Sequence, residues 1–258
     1  MKRVIVMYFS PTGTSGKIAG AIAGGISQAM DCQLETIDLT EPEVRDREYS
    51  FSDQDILVLG YPVYAGRVPE VLQAPLRRVK GNGTSAVLAA VYGNRDYEDA
   101  LIEGQDILTE GGFSVIGAGA FIGEHSYSKK VAAGRPDGED LACAKRFGEQ
   151  ISDKLKNSQL AAIEVKGNRP YKDPMPDMPF LPKTTDACTD CGICADKCPM
   201  QVIHRDDPRI VDQGCILCSA CVKSCPVDAK YIAAEPIVKI RGMLETKFMD
   251  RKEPELFL

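Results

Sequence analysis

Residues 3–9 read RVIVMYF, an apolar and largely β-branched run with no polar alternation, which predicts a strand buried on both faces. Similar runs fall at residues 34–39, 55–60, 85–91 and 113–121. Between or after most of them the pattern changes to a helical period, at residues 16–30, 97–110 and 137–156. Strands alternating with helices predict an α/β fold, a doubly wound five-stranded parallel sheet of order 2-1-3-4-5. In such sheets ligands bind outside the carboxyl ends of the strands.

The pattern ends near residue 156. Pro170, Pro174, Pro176, Pro179 and Pro182 then predict an extended, polyproline-type connector. Beyond it, Cys188, Cys191, Cys194 and Cys198 stand as C-x-x-C-x-x-C-x-x-x-C followed by Pro199. Cys215, Cys218, Cys221 and Cys225 repeat the spacing at one constant offset and are followed by Pro226, so the segment is an internal duplication. Three thiolates at i, i+3 and i+6 on a tight loop suit three irons of one cubane, and the fourth, before a proline, ligates the cubane of the other copy. This assigns Cys188, Cys191, Cys194 and Cys225 to one 4Fe–4S cluster, and Cys215, Cys218, Cys221 and Cys198 to a second. Zinc has no place for a third cysteine at the next i+3, and nothing suggests an oxidising compartment for disulfides. The segment resembles a bacterial-type ferredoxin with two 4Fe–4S clusters over residues 184–233. Ile193, Val202, Ile216, Leu217 and Ile232 are the expected apolar cover of the clusters.

After the first strand, Ser10-Pro11-Thr12-Gly13-Thr14-Ser15 feeds a helix. A nucleoside-triphosphate loop needs glycine at Pro11 and Ser or Thr at Ile18, and both are missing. A hydroxyl-rich turn at a helix N-terminus suits a single phosphate. Ser10, Thr12, Gly13, Thr14 and Ser15 resemble the flavodoxin phosphate loop, which implies a flavodoxin-like domain holding FMN. The resemblance extends to two loops at the same sheet edge that enclose the flavin ring. One contains Pro62, Val63, Tyr64, Ala65 and Gly66; the other contains Tyr92, Gly93, Asn94, Arg95 and Tyr97. The chain has no Trp, so the ring-stacking residue stays open. The three tyrosines read either as flavin contacts or as strand-end packing, and Arg67 and Arg95 either as solvated charges or as cations near the flavin pyrimidine edge. Gly81 and Gly117 begin glycine patterns that lack the strand–turn–helix context of a dinucleotide fingerprint.

Residues 122–136 form a long loop from the same edge. Its His125 reads either as a proton donor beside the flavin or as a surface histidine without a role, and His204 reads as exposed. Cys32 and Cys143 read as inert, buried thiols. Residues 236–258 mix apolar and basic positions, as in an amphipathic helix on either domain or a docking site for an acidic redox partner.

The expected domains are 1–158, flavodoxin-like and FMN-binding; 159–183, the connector; 184–233, the ferredoxin domain with two clusters; and 234–258, a C-terminal extension. The net charge of −6, with no basic stripe, argues against nucleic acid. No run is long enough to span a bilayer and the N-terminus lacks a signal-peptide layout, so a cytoplasmic, oxygen-poor location is expected. Together the halves resemble the flavodoxin–ferredoxin fusion proteins of anaerobic microbes. That implies an electron-transfer flavo-iron–sulfur protein, an oxidoreductase coupling two-electron flavin chemistry to one-electron carriers. The alternative is a non-enzymatic carrier shuttling single electrons between larger enzymes. A redox sensor is a third reading, without a visible regulatory module. Partners would be a ferredoxin, a flavodoxin or a larger oxidoreductase, with or without a small-molecule acceptor at the flavin.

Overall fold

The computed structural model describes residues 2–174 and 178–258. The N-terminal unit runs β1 (Arg3–Tyr8), α1 (Thr14–Met30), β2 (Gln33–Asp38), α2 (Pro42–Arg45), β3 (Ile56–Pro62), α3 (Glu70–Arg78), β4 (Ser85–Tyr92), α4 (Ala100–Glu110), β5 (Ser114–Ile122) and α5 (Gly138–Lys156). The C-terminal part follows as β6 (Lys183–Thr184), α6 (Ile193–Asp196), α7 (Ala220–Ser224), β7 (Lys230–Tyr231), α8 (Glu235–Lys247) and β8 (Glu255–Phe257).

The sheet has the order β2-β1-β3-β4-β5-β8. Its first five strands are parallel, and β8 adds antiparallel to β5. The doubly wound order is the expected one, and the sixth strand is an addition. Alternate residues of β1 explain its unbroken apolar run. Ile5 and Met7 enter one core with Leu72, Leu76 and Leu101 of α3 and α4, and Val4 and Val6 enter the other with Ile18 and Ile22 of α1 and Phe147 of α5. The expected burial of the second strand is not met. β2 is the sheet's edge, with Leu34 48% exposed, because only β1 pairs with it. Helices α1 and α5 cross with backbones nearly touching. A Cβ on Gly25 would lie 2.3 Å from Lys145 O, and one on Gly148 would lie 2.2 Å from Ile22 O.

Residues 163–172 do not act as a free spacer. Ile163 is buried in the N-terminal core, Asn168 and Lys172 donate backbone N–H groups to Asp99, and Tyr171 and Arg169 bond Asp106. Residues 175–177 of the proline-rich stretch lie outside the described residues. In the C-terminal part, β6 and β7 form an antiparallel ribbon.

The two parts are joined at several places. Ile216 packs against the N-terminal core. Lys223 on α7 binds Glu124 and, at 2.9 Å, Ser128 O, both in the 122–136 loop. From α8, Arg241 Nε donates to Tyr127 O at 2.7 Å, and Glu245 accepts from Ser128 Oγ at 2.8 Å. That loop therefore brackets the C-terminal part. The tail after α8 returns to the N-terminal sheet: Asn94 Nδ2 donates to Phe248 O and Asp250 O, both at 2.8 Å, and β8 completes the crossing. Of the two placements open for residues 236–258, the helix lies with the cysteine region, where Ile237 and Leu244 are buried, and the strand lies with the sheet.

Candidate functional site

The duplicated cysteines line two separate cavities. One is walled by Cys188, Cys191, Cys194 and Cys225, the other by Cys198, Cys215, Cys218 and Cys221. Each cavity thus combines three cysteines of one copy with the fourth of the other, the grouping that the spacing implies. The thiols surround a space instead of meeting at a point: no three His, Cys, Asp or Glu side chains among the described residues converge to hold a single metal ion. A polynuclear group fits such a donor set better than one tetrahedral ion. Tight backbone makes the walls: Gly192 and Ser219 precede α6 and α7 in the left-handed conformation, at φ 75 and φ 63. Backbone N–H groups point at the sulfurs, Leu217 N at Cys215 Sγ (3.4 Å) and Ala229 N at Cys225 Sγ (3.1 Å). Burial pushes the Cys218 and Cys221 thiols up to about 12. Burial also raises Cys225, but the N–H groups of Val227, Lys230 and Ala229 outweigh it and leave its thiol below the usual range. Leu217 and Ile232 are buried cover, whereas Ile193 is 37% exposed beside the first cavity.

The hydroxyl loop lies at the carboxyl end of β1. Gly13, at φ 83, caps α1 without a side chain, and the first turn carries no acidic residue. The first N–H groups of α1 therefore face outward with the positive end of the helix dipole. Ser10 braces the turn, its Oγ accepting from Gly16 N at 2.9 Å and its N–H donating to Thr40 Oγ1 at 2.8 Å. Ser15 Oγ is buried with no hydrogen-bond partner. An orphaned hydroxyl beside uncapped N–H groups fits a phosphate. Ser10, Thr12 and Gly13 line a cleft of about 1030 Å³ whose far wall is Cys198, Pro199, Ala220, Lys223 and Ser224. Ser224 Oγ there is also buried and unpaired.

The other two sheet-edge loops are placed differently. Pro62, Val63, Ala65 and Gly66 surround Tyr64, whose hydroxyl is held far above its ordinary range by burial, with Cys218, Tyr127 and Cys215 as neighbours. Tyr92 and Tyr97 are each 4% exposed and pack on each other at 5.6 Å, and Tyr97 Oη donates to Glu255 on β8 at 3.0 Å. Both rings are buried, each against the other. Arg95 pairs with Glu98, Arg67 pairs with Glu103, and Gly93 abuts His125, whose ring a Cβ there would meet at 2.5 Å. His125 Nδ1 accepts from Tyr127 N at 3.1 Å, and burial, then Lys223 and Arg95, lower its pKa to about 4. It is a neutral Nε2–H imidazole near pH 7. His204 is exposed, 3.0 Å from Asp212. Cys32 and Cys143 are half-buried.

The 4Fe-4S dicluster domain family matches residues 187–230, the span of all eight motif cysteines. The N-terminal sheet has the flavodoxin-like order 2-1-3-4-5, extended by one antiparallel strand. An archaeal flavodoxin is 20% identical, covering 60% of this chain and 99% of its own, with a TM-score of 0.41. Flavodoxin 1 of Bacillus cereus is 16% identical, covering 58% and 97%, with a TM-score of 0.39. An azoreductase of Bacillus anthracis is 13% identical, covering 60% and 100%, with a TM-score of 0.42. No curated protein matches the chain. No helix among the described residues is long and apolar enough to cross a membrane.

Sequence reasoning missed Arg45 and Lys230. Arg45 on α2 is 6% exposed and donates to Leu39 O (3.0 Å), Thr40 O (3.2 Å) and Pro199 O (3.0 Å), the last residue directly following Cys198. The dicluster domain's Lys230 is 3% exposed. A charge reads as exposed by default, so nothing in the residue pattern singles out either.

Proposed function

We propose that this chain is an electron-transfer flavo-iron–sulfur protein holding one FMN and two 4Fe–4S clusters. The observation that supports it most is a shared wall. Cys198, Pro199, Ile203 and Ala220 line both the cleft beneath the hydroxyl loop and the second four-cysteine cavity. One face of that wall meets a phosphate-type site, and the other is a set of thiols.

In this reading Ser10, Thr12, Gly13, Thr14 and Ser15 hold the FMN phosphate. Cys188, Cys191, Cys194 and Cys225 hold one cluster, and Cys198, Cys215, Cys218 and Cys221 hold the other. The bound groups supply electron exchange, singly or in pairs at FMN and singly at each cluster. The protein's task is to hold them close and dry. Tyr64 is the one of the three loop tyrosines with exposed surface, and it sits toward Cys215 and Cys218, so it is the candidate ring neighbour. Tyr92, Asn94 and Tyr97 anchor their loop to the tail. Arg45 ties Thr40, and through it Ser10, to Pro199. His125 keeps the loop at Gly93 closed, and a proton would have to leave it from a neutral ring.

The outside partner is a one-electron redox protein. The 122–136 loop supports a non-enzymatic carrier over a substrate-turning oxidoreductase, because its Glu124 and Ser128 are engaged by Lys223 and Glu245. Anaerobic loading followed by flavin and iron analysis tests the reading. It expects one FMN, roughly eight irons and roughly eight acid-labile sulfides per chain. Loading with iron but no flavin would contradict it.

A further inference from the structure

The two-residue strand β7 is inverted relative to ordinary patterning. Lys230 points inward and is 3% exposed, while Tyr231 beside it is 39% exposed. Ala229 and Ile232, on either side, are also buried. The Lys230 ammonium donates to Pro208 O, and no carboxylate among the described residues pairs with it. A buried cation without a carboxylate is costly, so the fold must offer it an anion or lose stability.

The position of Lys230 says which anion. It lines the cavity of Cys188, Cys191, Cys194 and Cys225, and its backbone N–H is directed at Cys225. One buried cation therefore stands at a site that gathers four thiolates when loaded.

We propose that Lys230 is a buried counter-charge for the cluster site of Cys188, Cys191, Cys194 and Cys225, a positioning residue that makes that cluster easier to reduce. The inference rests on the two-cluster reading above. Reduction adds negative charge next to Lys230, and in a low-dielectric surrounding a fixed cation favours the more negative state. Pro208 O holds the ammonium in place, so the charge keeps one position in both redox states.

The test uses the full chain, loaded anaerobically, with Lys230→Gln and Lys230→Arg. Glutamine keeps a donor for Pro208 O and deletes the charge; arginine keeps the charge. Iron content is measured first, then an EPR-monitored redox titration. The expected result is normal iron in Lys230→Gln with the midpoint lowered for the cluster of Cys188, Cys191, Cys194 and Cys225. At a fixed poise its reduced-to-oxidised ratio should fall about tenfold, which is about 59 mV for a one-electron couple. Lys230→Arg should restore most of it. An unchanged midpoint for that cluster in Lys230→Gln, or a shift confined to the other cluster, would overturn the role. If Lys230→Gln takes up no iron but Lys230→Arg does, the charge itself is required and the proposal stands. Loss of iron in both means that shape matters and charge does not, and the proposal fails. A wild-type chain that takes up no iron would sink the two-cluster reading instead.

Discussion

Arg45 Nη2 lies 3.0 Å from Pro199 O, so a buried guanidinium on α2 of the N-terminal unit clasps the residue that follows Cys198. The same side chain holds Leu39 O and Thr40 O, and its guanidinium lies 5.8 Å from the Phe9 ring centroid. Arg45→Ala should leave three carbonyls without a donor. The expected cost is about 1–3 kcal/mol in denaturant unfolding. Iron loss should fall mainly on the cavity containing Cys198. Arg45→Lys should rescue poorly, because a single ammonium does not reproduce the planar fork.

Cross-ligation gives the next prediction. Cys225→Ala should damage the site of Cys188, Cys191 and Cys194, and Cys198→Ala the site of Cys215, Cys218 and Cys221. Each variant should retain roughly four of roughly eight irons. Distinct EPR signals surviving in the two variants would check it. The same signal surviving in both would contradict the assignment of cavities.

Ser15→Ala should act in opposite directions on two measurements. The Ser15 hydroxyl is buried without a partner, so its removal should stabilise the flavin-free chain by up to about 1 kcal/mol in unfolding. FMN affinity should fall in Ser15→Ala, and separately in Thr12→Val, by roughly 1.5–3 kcal/mol where the hydroxyl bonds the phosphate. Titration with FMN and thermal unfolding without it separate the two effects.

His125 makes a pH prediction. Its pKa is about 4 in the fold against an ordinary 6.5, so the unfolded chain binds the proton more readily between those values. Stability should therefore be full above pH 6.5 and fall as the pH drops from 6.5 toward 4. His125→Gln should flatten that part of the profile, as read by denaturant midpoints across the range.

Some of this was legible in the sequence and some was not. The cysteine grouping was legible because ligand spacing is local and duplicated. The strand order followed from apolar runs covered on both faces, and the hydroxyl loop from its place between β1 and α1. Strand β8 was not legible: Glu255–Phe257 is short, of ordinary composition, and becomes a strand only because β5 presents an open edge. The bond from Tyr97 to Glu255 was not legible, because position alone cannot show it. The same holds for the 122–136 loop, whose partners Lys223, Arg241 and Glu245 are distant in sequence. The bonds from Arg45, Lys223 and the tail that join the two parts were not legible either, because their partners lie far apart in sequence.

An FMN and two clusters held in one docked chain should exchange electrons within that chain. Stopped-flow reduction of the loaded protein with a one-electron donor, following cluster bleaching and flavin reduction separately, measures this exchange. A cluster-to-flavin phase whose rate is independent of protein concentration is expected. It should survive a Gly/Ser replacement of residues 173–180 and slow when the tail after residue 248 is deleted. A phase that scales with protein concentration, or no such phase at any concentration, would contradict it.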